Sequence, residues 1–499
     1  MPYLIRVTPP LITGYPVYIY ICIYRYIYRY EDSLLVQLIS SFGTQRNEDM
    51  VEVERKSRIV IVGGGLVGGL AACFFAKRGH RVMIYEYRSD VRREKSHGQS
   101  INLALSFRGR EALKTINLED TLVKRYGTRM RGRMLHDKNG NLKEVIYDKV
   151  KENCIYSINR RYLNMVLLDA AEKYPEVELN FNRKLVDADL EKGKMKFLNT
   201  NTGAIEDVKA DLIIGADGAH SKVRKIMANR SLFNCSQTYI EHGYVEFSLP
   251  RRENGEFAMS RNNLHIWPRG EFMMTSLPNE DGTFTGNLFA PFRVYEKLKT
   301  REALLNFCTE HFPDFLRLIG EENLVKQFFE NEPQTLISIK CKPYHVGKTA
   351  VIVGDAAHAM VPFYGQGMNC GFEDILILDE LMERYNSDFA KVLPKFSELR
   401  CDNGHAICDL AMYNYLEMRD LVTKRSFLLR KFLDNILFTL FPNFWIPLYF
   451  SVQFTRMNYR ECIARKEWQD KVLKTSLLCI GFLIFAILAV YFIQKAMRI

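Results

Sequence analysis

The sequence contains no Cys-x-x-Cys pair, although it has eleven cysteines. That spacing is typical of zinc ribbons and dithiol redox centres, so neither is expected, and we interpret the cysteines as reduced and mostly packed. Zinc-finger, RNP and helix-turn-helix signatures are also missing, so the net charge of +11 does not indicate a nucleic-acid partner. We interpret that charge as a basic surface suited to anionic ligands or acidic lipid.

A second G-x-G-x-x-G motif is absent too. Gly365, Gly367 and Gly371 approach the pattern but miss its spacing by one residue. A reductase with two dinucleotide-binding folds would need a second motif or a redox dithiol, so that class is excluded. What is present is a chain of 499 residues, 47% hydrophobic and 25% charged, which is long enough for two or more globular domains.

The complete G-x-G-x-x-G motif lies within residues 58–88, at Gly63, Gly65 and Gly68. It follows an apolar run rich in β-branched residues and precedes a stretch with helical spacing, after which a second apolar run ends in Glu86. The glycines allow a tight turn, a close approach to a pyrophosphate and helix packing on the strand. A carboxylate at Glu86 accepts ribose hydroxyls and repels a 2′-phosphate, which favours FAD or NAD over NADP as the bound nucleotide.

Two further strand-turn-helix patterns follow. Residues 211–227 place Asp217 after an apolar strand and open a helix at Ser221, a pattern that alone fits any α/β sheet. Residues 354–369 place Asp355 after another apolar strand and continue into a glycine-rich turn. Asp355 could also serve as a helix N-cap, which is compatible with a role in binding.

Together, in this order, the three motifs resemble those of the flavin-dependent aromatic hydroxylases, the single-component monooxygenases similar to para-hydroxybenzoate hydroxylase. The resemblance implies tightly bound FAD, with NADPH and O2 as co-substrates and NADPH held without a fold of its own. It implies oxygen transfer by a flavin C4a-hydroperoxide, with no protein acid or base and no metal. The FAD contacts that it implies are Gly63, Gly65, Val67, Gly68, Glu86, Arg88, Ala104, Arg160, Leu185, Lys222, Asp355, Met368 and Asn369.

Some of these positions have more specific expectations. The resemblance puts Asp355 on the ribityl chain, and glycines at 365 and 367 would let backbone amides reach the N1–C2=O edge of the flavin. Lys222 stands where family members often carry a smaller hydroxyl residue, a change that a backbone contact survives. His358, which follows Gly-Asp-Ala-Ala, is interpreted as fixing the loop.

For the substrate, the resemblance implies an aromatic amino acid with a carboxylate at one end and an aniline ring at the other. It places Arg133 and Tyr147 on the carboxylate, and Asn414 and Tyr449 around the substrate. Glu417 lies one helical turn from Asn414. Arg133 could instead belong to a solvated basic face, and Tyr449, which lies in an apolar run, could simply pack.

The sequence predicts an α/β protein with a Rossmann-like FAD-binding domain, an antiparallel β-sheet substrate domain, a C-terminal helical region and a C-terminal transmembrane helix. The antiparallel sheet is predicted because residues 238–292 alternate apolar and polar side chains between turn residues. The predicted boundaries are 1–55 for a leader, 56–235 with 335–400 for the FAD-binding domain, 236–334 for the substrate domain, 401–470 for the helical region and 475–493 for the anchor.

The C-terminal segment 475–493 has no charge over 19 positions, about 28 Å as a helix, which is enough to cross a bilayer's hydrocarbon. Its moderate length and flanking basic residues (Lys471, Lys474, Lys495 and Arg498) favour a tail anchor in the mitochondrial outer membrane over the endoplasmic reticulum, with the catalytic part facing the cytosol. A buried core helix is the alternative. Residues 436–450 are apolar but contain two prolines, so we expect a membrane-proximal packing element there.

The N-terminal stretch 18–30 alternates isoleucine and tyrosine, as an in-frame TA-repeat translation would. We therefore expect the true start at Met50, with an amphipathic strand or membrane-binding leader as the alternative, and no secretory signal. Two other functions stay open at this point. One keeps the flavin fold but acts on a membrane lipid, and the other is a non-catalytic membrane-anchored flavoprotein scaffold.

Overall fold

The computed structural model describes residues 56–93, 102–148, 151–229 and 232–497. The predicted leader, the proposed start at Met50 and the flanking Arg498 lie outside these ranges. The strands are β1 (Arg58–Val62), β2 (Arg81–Tyr85), β3 (Asn102–Leu105), β4 (Thr128–Met130), β5 (Gly132–His136), β6 (Leu142–Ile146), β7 (Ile155–Asn159), β8 (Val177–Asn180), β9 (Arg183–Asp189), β10 (Lys194–Asn199), β11 (Ile205–Lys209), β12 (Leu212–Gly215), β13 (Asn234–Leu249), β14 (Asn263–Pro268), β15 (Met273–Pro278), β16 (Phe284–Pro291), β17 (Gln334–Lys342), β18 (His345–Val346) and β19 (Ala350–Ile352). The helices are α1 (Leu66–Lys77), α2 (Phe107–Thr115), α3 (Glu119–Tyr126), α4 (Arg160–Glu172), α5 (Lys222–Met227), α6 (Phe292–Tyr295), α7 (Arg301–His311), α8 (Pro313–Ile319), α9 (Glu321–Glu330), α10 (Asp355–His358), α11 (Gly367–Arg384), α12 (Phe389–Arg419), α13 (Arg425–Leu440), α14 (Leu448–Phe454) and α15 (Tyr459–Ala496), with short 3-10 turns at Pro362–Tyr364 and Leu421–Thr423.

Six strands form the first sheet, in the order β18-β19-β12-β1-β2-β8. They run parallel except for β18, which lies antiparallel at the edge. The central strand β1 is apolar and buried, as expected for a strand covered on both faces. On one face α1 packs closely against α4, where Gly69 meets Leu167. The predicted strand-turn-helix-strand unit at residues 58–88 and the Rossmann-like fold class are confirmed.

A second sheet has seven strands in the order β17-β13-β16-β15-β14-β5-β6. Its neighbours are antiparallel except for the parallel pair β5 and β14. One face is covered by the helices that follow β16, with Phe315 of α8 against Phe247 of β13. The antiparallel strands predicted within 238–292 are therefore confirmed. The sheet also includes β5 and β6, which come from the range expected to belong to the FAD-binding domain.

The C-terminal part is helical, from α11 to α15. The apolar segment 436–450 is divided between the end of α13 and the start of α14, which agrees with the expectation that it does not span a membrane. The predicted anchor lies within α15, one continuous helix of 38 residues that begins at Tyr459. No glycine or proline interrupts residues 459–480, so the helical region and the anchor share one helix. By length and composition α15 can cross a membrane, and its apolar window is unburied.

Candidate active site

A cavity of about 1120 Å³ lies between the two sheets. One wall is formed by the carboxyl ends of the parallel strands β1, β2, β12 and β19, the edge at which α/β sheets bind ligands. The opposite wall is formed by the seven-stranded sheet, represented by Tyr244, Thr275 and Asn287. The predicted site residues that line this cavity are Gly63, Gly65, Val67, Glu86, Arg88, Ala104, Arg133, Arg160, Leu185, Lys222, Asp355, Met368 and Tyr449.

The glycine turn between β1 and α1 has the geometry of a pyrophosphate cradle. Gly63 has φ +106°, and a Cβ there would lie 2.5 Å from the Ala216 carbonyl oxygen. A Cβ at Gly68 would lie 1.9 Å from the Gly63 carbonyl oxygen, so Gly68 permits the helix to pack on the turn. A Cβ at Gly65 would meet nothing within 4 Å, because this glycine faces the cavity at the N-terminus of α1. The turn therefore leaves room for an anion at a helix N-terminus.

Glu86, at the end of β2, holds this turn in place. Its Oε2 accepts a hydrogen bond from the Gly64 amide at 2.7 Å, and its Oε1 accepts from the Arg88 Nε at 2.8 Å. Each carboxylate oxygen has two lone pairs, so Glu86 can still accept a ribose hydroxyl from the cavity. These residues fit the adenosine half of FAD.

Two aspartates follow the parallel strands β12 and β19. Asp217 Oδ2 accepts from the Lys222 amide at 2.6 Å and so caps α5, while its Oδ1 is buried without a partner and burial raises its pKa. Lys222 thus has its amide on Asp217, and its side chain lines the cavity. Asp355 begins α10 after Gly354 and exposes its side chain toward the cavity. The pair of carboxylates suits hydroxyl groups of a dinucleotide chain.

The turn that carries Gly365 is fixed by Asn369. The Asn369 amide nitrogen donates to the carbonyl oxygens of Ala104 at 2.8 Å and Gly365 at 2.6 Å, and its Oδ1 accepts from the Ser106 amide at 2.9 Å. Asn369 is fully buried and does not line the cavity. It positions the two backbone segments on which a flavin ring would rest, next to Met368, which does line the cavity.

At the other end of the cavity Arg133, on β5, presents a buried guanidinium. Its Cζ lies 4.4 Å from the centre of the Tyr449 ring, and its Nη1 lies 3.5 Å from Glu417 Oε1. The Arg133 Nε has no hydrogen-bond partner. Burial by itself lowers the pKa of this guanidinium, but Tyr449, Tyr147 and Glu417 raise it above the ordinary arginine value. Arg133 is therefore a charged, desolvated donor, which excludes the solvated basic face considered from the sequence.

Two other predicted substrate residues, Tyr147 and Asn414, lie behind the cavity wall. Tyr147 stacks on Tyr449 at 5.2 Å between ring centres, and its buried hydroxyl has no partner. Asn414 is buried and donates to the Phe363 carbonyl oxygen at 2.7 Å. Gly68, Tyr147, Asn369 and Asn414 are the predicted site residues that do not line the cavity.

Several residues in or next to the cavity were not singled out from the sequence. Glu417, which does not line the cavity itself, was noted only for its spacing from Asn414, yet it is the carboxylate nearest Arg133 and also lies 3.4 Å from the Lys431 Nζ. Tyr364, which stacks on Tyr449 at 5.7 Å, and Phe289 line the aromatic part of the cavity. In the sequence Tyr364 and Phe289 are aromatic residues without a motif, and an aromatic residue alone does not distinguish a cavity wall from a hydrophobic core.

His358 lies behind the Asp355 turn and is fully buried. Its Nε2 lies 2.6 Å from Asp374 Oδ2, which also accepts from the Gly354 amide at 2.9 Å. Burial lowers the pKa of His358, but Asp374 more than offsets it, so that pKa is raised well above the ordinary value. His358 therefore holds the loop, as predicted from the sequence.

Arg400 completes this buried network. The ligand atoms of His358, Cys370 and Asp374 lie within 4.8 Å of one another, close enough for a metal ion. Arg400 Nε, however, lies 2.7 Å from Asp374 Oδ1, and its Nη2 lies 3.2 Å from Cys370 Sγ. The guanidinium thus supplies the cation of the cluster. Although burial raises the pKa of Asp374, His358 and Arg400 bring it down to about 2.

Comparison with known proteins identifies the family. The model of the FAD binding domain family matches residues 56–391. Kynurenine 3-monooxygenase of Anopheles gambiae is 56% identical over 416 residues, covering 83% of this chain and 85% of the relative. Kynurenine 3-monooxygenase of Sus scrofa is 48% identical over 437 residues, covering 87% of this chain and 92% of the relative.

Solved structures show the same fold at lower identity. A tetrameric 2-methyl-3-hydroxypyridine-5-carboxylic acid oxygenase is 22% identical with a TM-score of 0.60, covering 75% of this chain and 95% of that one. The probable FAD-dependent monooxygenase PqsL of Pseudomonas aeruginosa is 16% identical with a TM-score of 0.59, covering 73% and 97%.

The curated relatives agree with the sequence. Residues 100–113, 242–279, 354–374 and 409–419 resemble kynurenine 3-monooxygenase more specifically than the aromatic hydroxylases in general. Relatives at 45–56% identity carry that name over most of this chain. The chain is an FAD-dependent monooxygenase and belongs to the kynurenine 3-monooxygenase family.

Proposed function

We propose that this enzyme hydroxylates L-kynurenine to 3-hydroxy-L-kynurenine, a step of tryptophan degradation toward NAD biosynthesis. In the overall reaction, kynurenine, NADPH, a proton and O2 give 3-hydroxykynurenine, NADP⁺ and water. When bound, FAD supplies the redox chemistry, since it accepts the hydride of NADPH and activates O2. The names of the close relatives support this substrate and reaction.

The observation that carries the proposal is the buried Arg133. Kynurenine has a carboxylate at one end, and a desolvated guanidinium can bind a carboxylate with two parallel hydrogen bonds. Arg133 lies over the Tyr449 ring and 3.5 Å from Glu417, and its Nε has no hydrogen-bond partner, so it retains a donor for such a ligand. The unpartnered hydroxyl of Tyr147 is a further donor beside it.

The aniline ring of kynurenine suits the apolar part of the cavity. Tyr449, Tyr364 and Phe289 line that part, next to the Gly365 turn on which the flavin ring would rest. A ring held there would present the carbon ortho to its amino group, where the nitrogen lone pair raises the electron density. The protein orients the substrate and excludes water, and we assign no residue as a general acid or base.

The cavity wall formed by the carboxyl ends of β1, β2, β12 and β19 fits FAD, as described above for the glycine turn, Glu86 and the two aspartates. We propose that Arg88 and Arg160 contact its phosphates or ribose, and that Val67, Ala104, Leu185 and Lys222 contact it through their backbone. NADPH then reaches the flavin without a separate nucleotide fold, because the described residues contain one glycine-rich turn of this type.

We further propose that α15 anchors the enzyme in the mitochondrial outer membrane with the catalytic part in the cytosol. The support is the apolar window of α15 and its basic flanking residues Lys471 and Lys474. Imaging a fusion of residues 455–499 to a fluorescent protein tests the location, and a reticular pattern would contradict it.

The substrate is tested on the purified full-length enzyme in detergent. We expect one FAD per chain by absorbance, slow NADPH oxidation alone, and strongly accelerated oxidation when kynurenine is added. An isoprenoid serves as the comparison substrate for the lipid alternative. Acceleration by the isoprenoid and not by kynurenine would overturn the assignment.

A further inference from the structure

Helix α13 carries an apolar surface that faces away from the protein. Leu429 and Phe432 are each 60% exposed, and Leu440 is 64% exposed, with Ile436 between them. At 3.6 residues per turn these four side chains fall within a sector of about 80°. Phe441 and Phe444 extend this surface beyond the helix end. We call these six residues the α13 surface.

Three charged residues of the same helix, Arg430, Lys431 and Asp434, contact the protein instead, whereas Arg425 in its first turn is exposed. Arg430 forms ion pairs with Asp434 at 3.1 Å and with Asp470, and Lys431 lies 3.4 Å from Glu417. Asp434 is buried and accepts from the Trp445 indole at 2.9 Å. A helix on the surface of a soluble protein normally has the reverse arrangement, so the outward apolar face indicates a partner that is itself apolar.

The α13 surface continues into the base of the membrane helix. The Phe444 ring meets Trp468 of α15 at 5.1 Å between centres, and Arg465 donates to the Phe444 carbonyl oxygen at 3.1 Å. The ion pair between Arg430 and Asp470 fixes α13 to α15 five residues before the uncharged run begins, about 7.5 Å along a helix. That distance matches the headgroup layer of a bilayer, about 5–8 Å thick on each side.

Resting on the proposed anchoring by α15, we propose that the α13 surface is a second membrane contact, in which its side chains insert between the headgroups and upper acyl chains of the bilayer that α15 would cross. Helices that lie in this interface bury an apolar face about 5–10 Å deep. The enzyme would then be held at two points, and the end of α12 that carries Glu417, which contacts Lys431 of α13, would lie close to the membrane surface.

Photochemical labelling of the full-length enzyme in phospholipid vesicles tests this contact. Benzoylphenylalanine replaces Phe432 or Phe444 in separate variants. Phe482, exposed within the apolar window of α15, is the positive control, and Phe329, exposed on α9 beside the seven-stranded sheet, is the negative control. After irradiation, mass spectrometry measures the fraction of each variant that is joined to lipid.

We expect lipid adducts at positions 432 and 444 several-fold above those at 329 and comparable to those at 482. Adducts at 482 with only the background of position 329 at both 432 and 444 would overturn the second contact while leaving the anchor. Attachment of position 432 or 444 to a second copy of the chain would also overturn it, because a protein interface would then cover the surface.

Discussion

Arg133 is a buried cation whose nearest carboxylate, Glu417, lies 3.5 Å away. If Arg133 binds the substrate carboxylate as proposed, replacing it with alanine removes one partner of a desolvated charge pair, which typically costs about 2 to 5 kcal/mol, or roughly 30-fold to several-thousand-fold in affinity. Arg133→Lys keeps the charge but loses the planar fork, so we expect little rescue. Substrate affinity is measured by the change in flavin absorbance on titration with kynurenine.

FAD content is the internal control for the two Arg133 variants, because neither substitution alters a residue expected to contact FAD. Arg131→Ala is a matched variant, since Arg131 is an exposed arginine on the same edge of the sheet that pairs with Glu144. It should bind kynurenine normally. Near-wild-type affinity in Arg133→Ala, with FAD bound, would remove Arg133 from the substrate site.

Glu246, on β13, gives a prediction about pH. Burial raises its pKa from 4.5 to about 7, and its Oε1 has no partner. A carboxyl whose pKa is raised on folding favours the folded state when protonated, so its contribution is complete below pH 4.5 and is lost as the pH rises through about 7. Glu246→Gln should therefore unfold at a higher temperature than wild type at pH 8, and the difference should shrink toward pH 5.

Apparent unfolding temperatures in detergent across this pH range provide the measurement. Glu253→Gln, at an exposed loop position, is the control and should track wild type at every pH. A constant difference between Glu246→Gln and wild type from pH 5 to pH 8 would mean that Glu246 does not titrate in this window.

Single residues could be assigned from the sequence where a motif fixes their surroundings. His358 was interpreted as fixing the loop because it follows Gly-Asp-Ala-Ala, and its hydrogen-bond partner Asp374 lies sixteen residues further along the chain. The contact of Arg133 with Glu417 spans 284 residues, so no local pattern could predict it. The assignment of Asn369 to flavin binding stays a prediction. The three hydrogen bonds of its side chain to backbone groups could not be predicted from the sequence.

At the scale of elements, the glycine turn separates a binding role from a folding role. Gly65→Ala adds a Cβ that meets nothing within 4 Å and faces the cavity, so the variant should fold normally but bind FAD poorly. Gly68→Ala forces a Cβ to within 1.9 Å of a backbone oxygen, so the turn itself must shift and stability should fall. FAD absorbance and the unfolding temperature of the apoproteins measure the two effects.

Each of the two alanine variants is a control for the other, because both add one methyl group to the same turn and differ in whether that group meets the backbone. The expected pattern is a folded, flavin-poor Gly65→Ala and a destabilised Gly68→Ala. Full FAD content in Gly65→Ala would show that the pyrophosphate does not approach this glycine.

The elements predicted best are those defined by neighbouring residues. The unit from β1 to β2 has strand, turn, helix and second strand in sequence, and the strands within 238–292 alternate with period two. The membership of β5 in the second sheet was not predicted. Its parallel partner β14 pairs Arg133 with Leu264, 131 residues away, and such long-range pairing leaves no local signal.

At the scale of the whole molecule, the proposed anchoring by α15 predicts where the enzyme resides. Removing residues from 475 onward deletes the uncharged run, so alkaline carbonate should extract the shortened protein from membranes while the full chain stays with them. FAD content should be unchanged because the cavity lies among other elements. A shortened protein that resists carbonate extraction would contradict the assignment of the anchor.

The arrangement of the whole molecule also limits what the sequence could reveal. The fold class and a C-terminal helix long and apolar enough to cross a membrane follow from composition and pattern, and the family from motifs. The domain boundaries stay a prediction. The seven-stranded sheet includes β5 and β6, which lie inside the range 56–235 that was expected to form the FAD-binding domain. The cavity exists only because two sheets from separate parts of the chain face each other.

The proposed reaction predicts a specific fate for molecular oxygen. The full-length enzyme is incubated with kynurenine, NADPH and ¹⁸O2, and the product is analysed by mass spectrometry. We expect 3-hydroxykynurenine with one ¹⁸O atom on the ring, formed in proportion to the NADPH consumed. NADPH oxidation that yields only hydrogen peroxide and unchanged kynurenine, or a product without the label, would contradict hydroxylation of kynurenine by this enzyme.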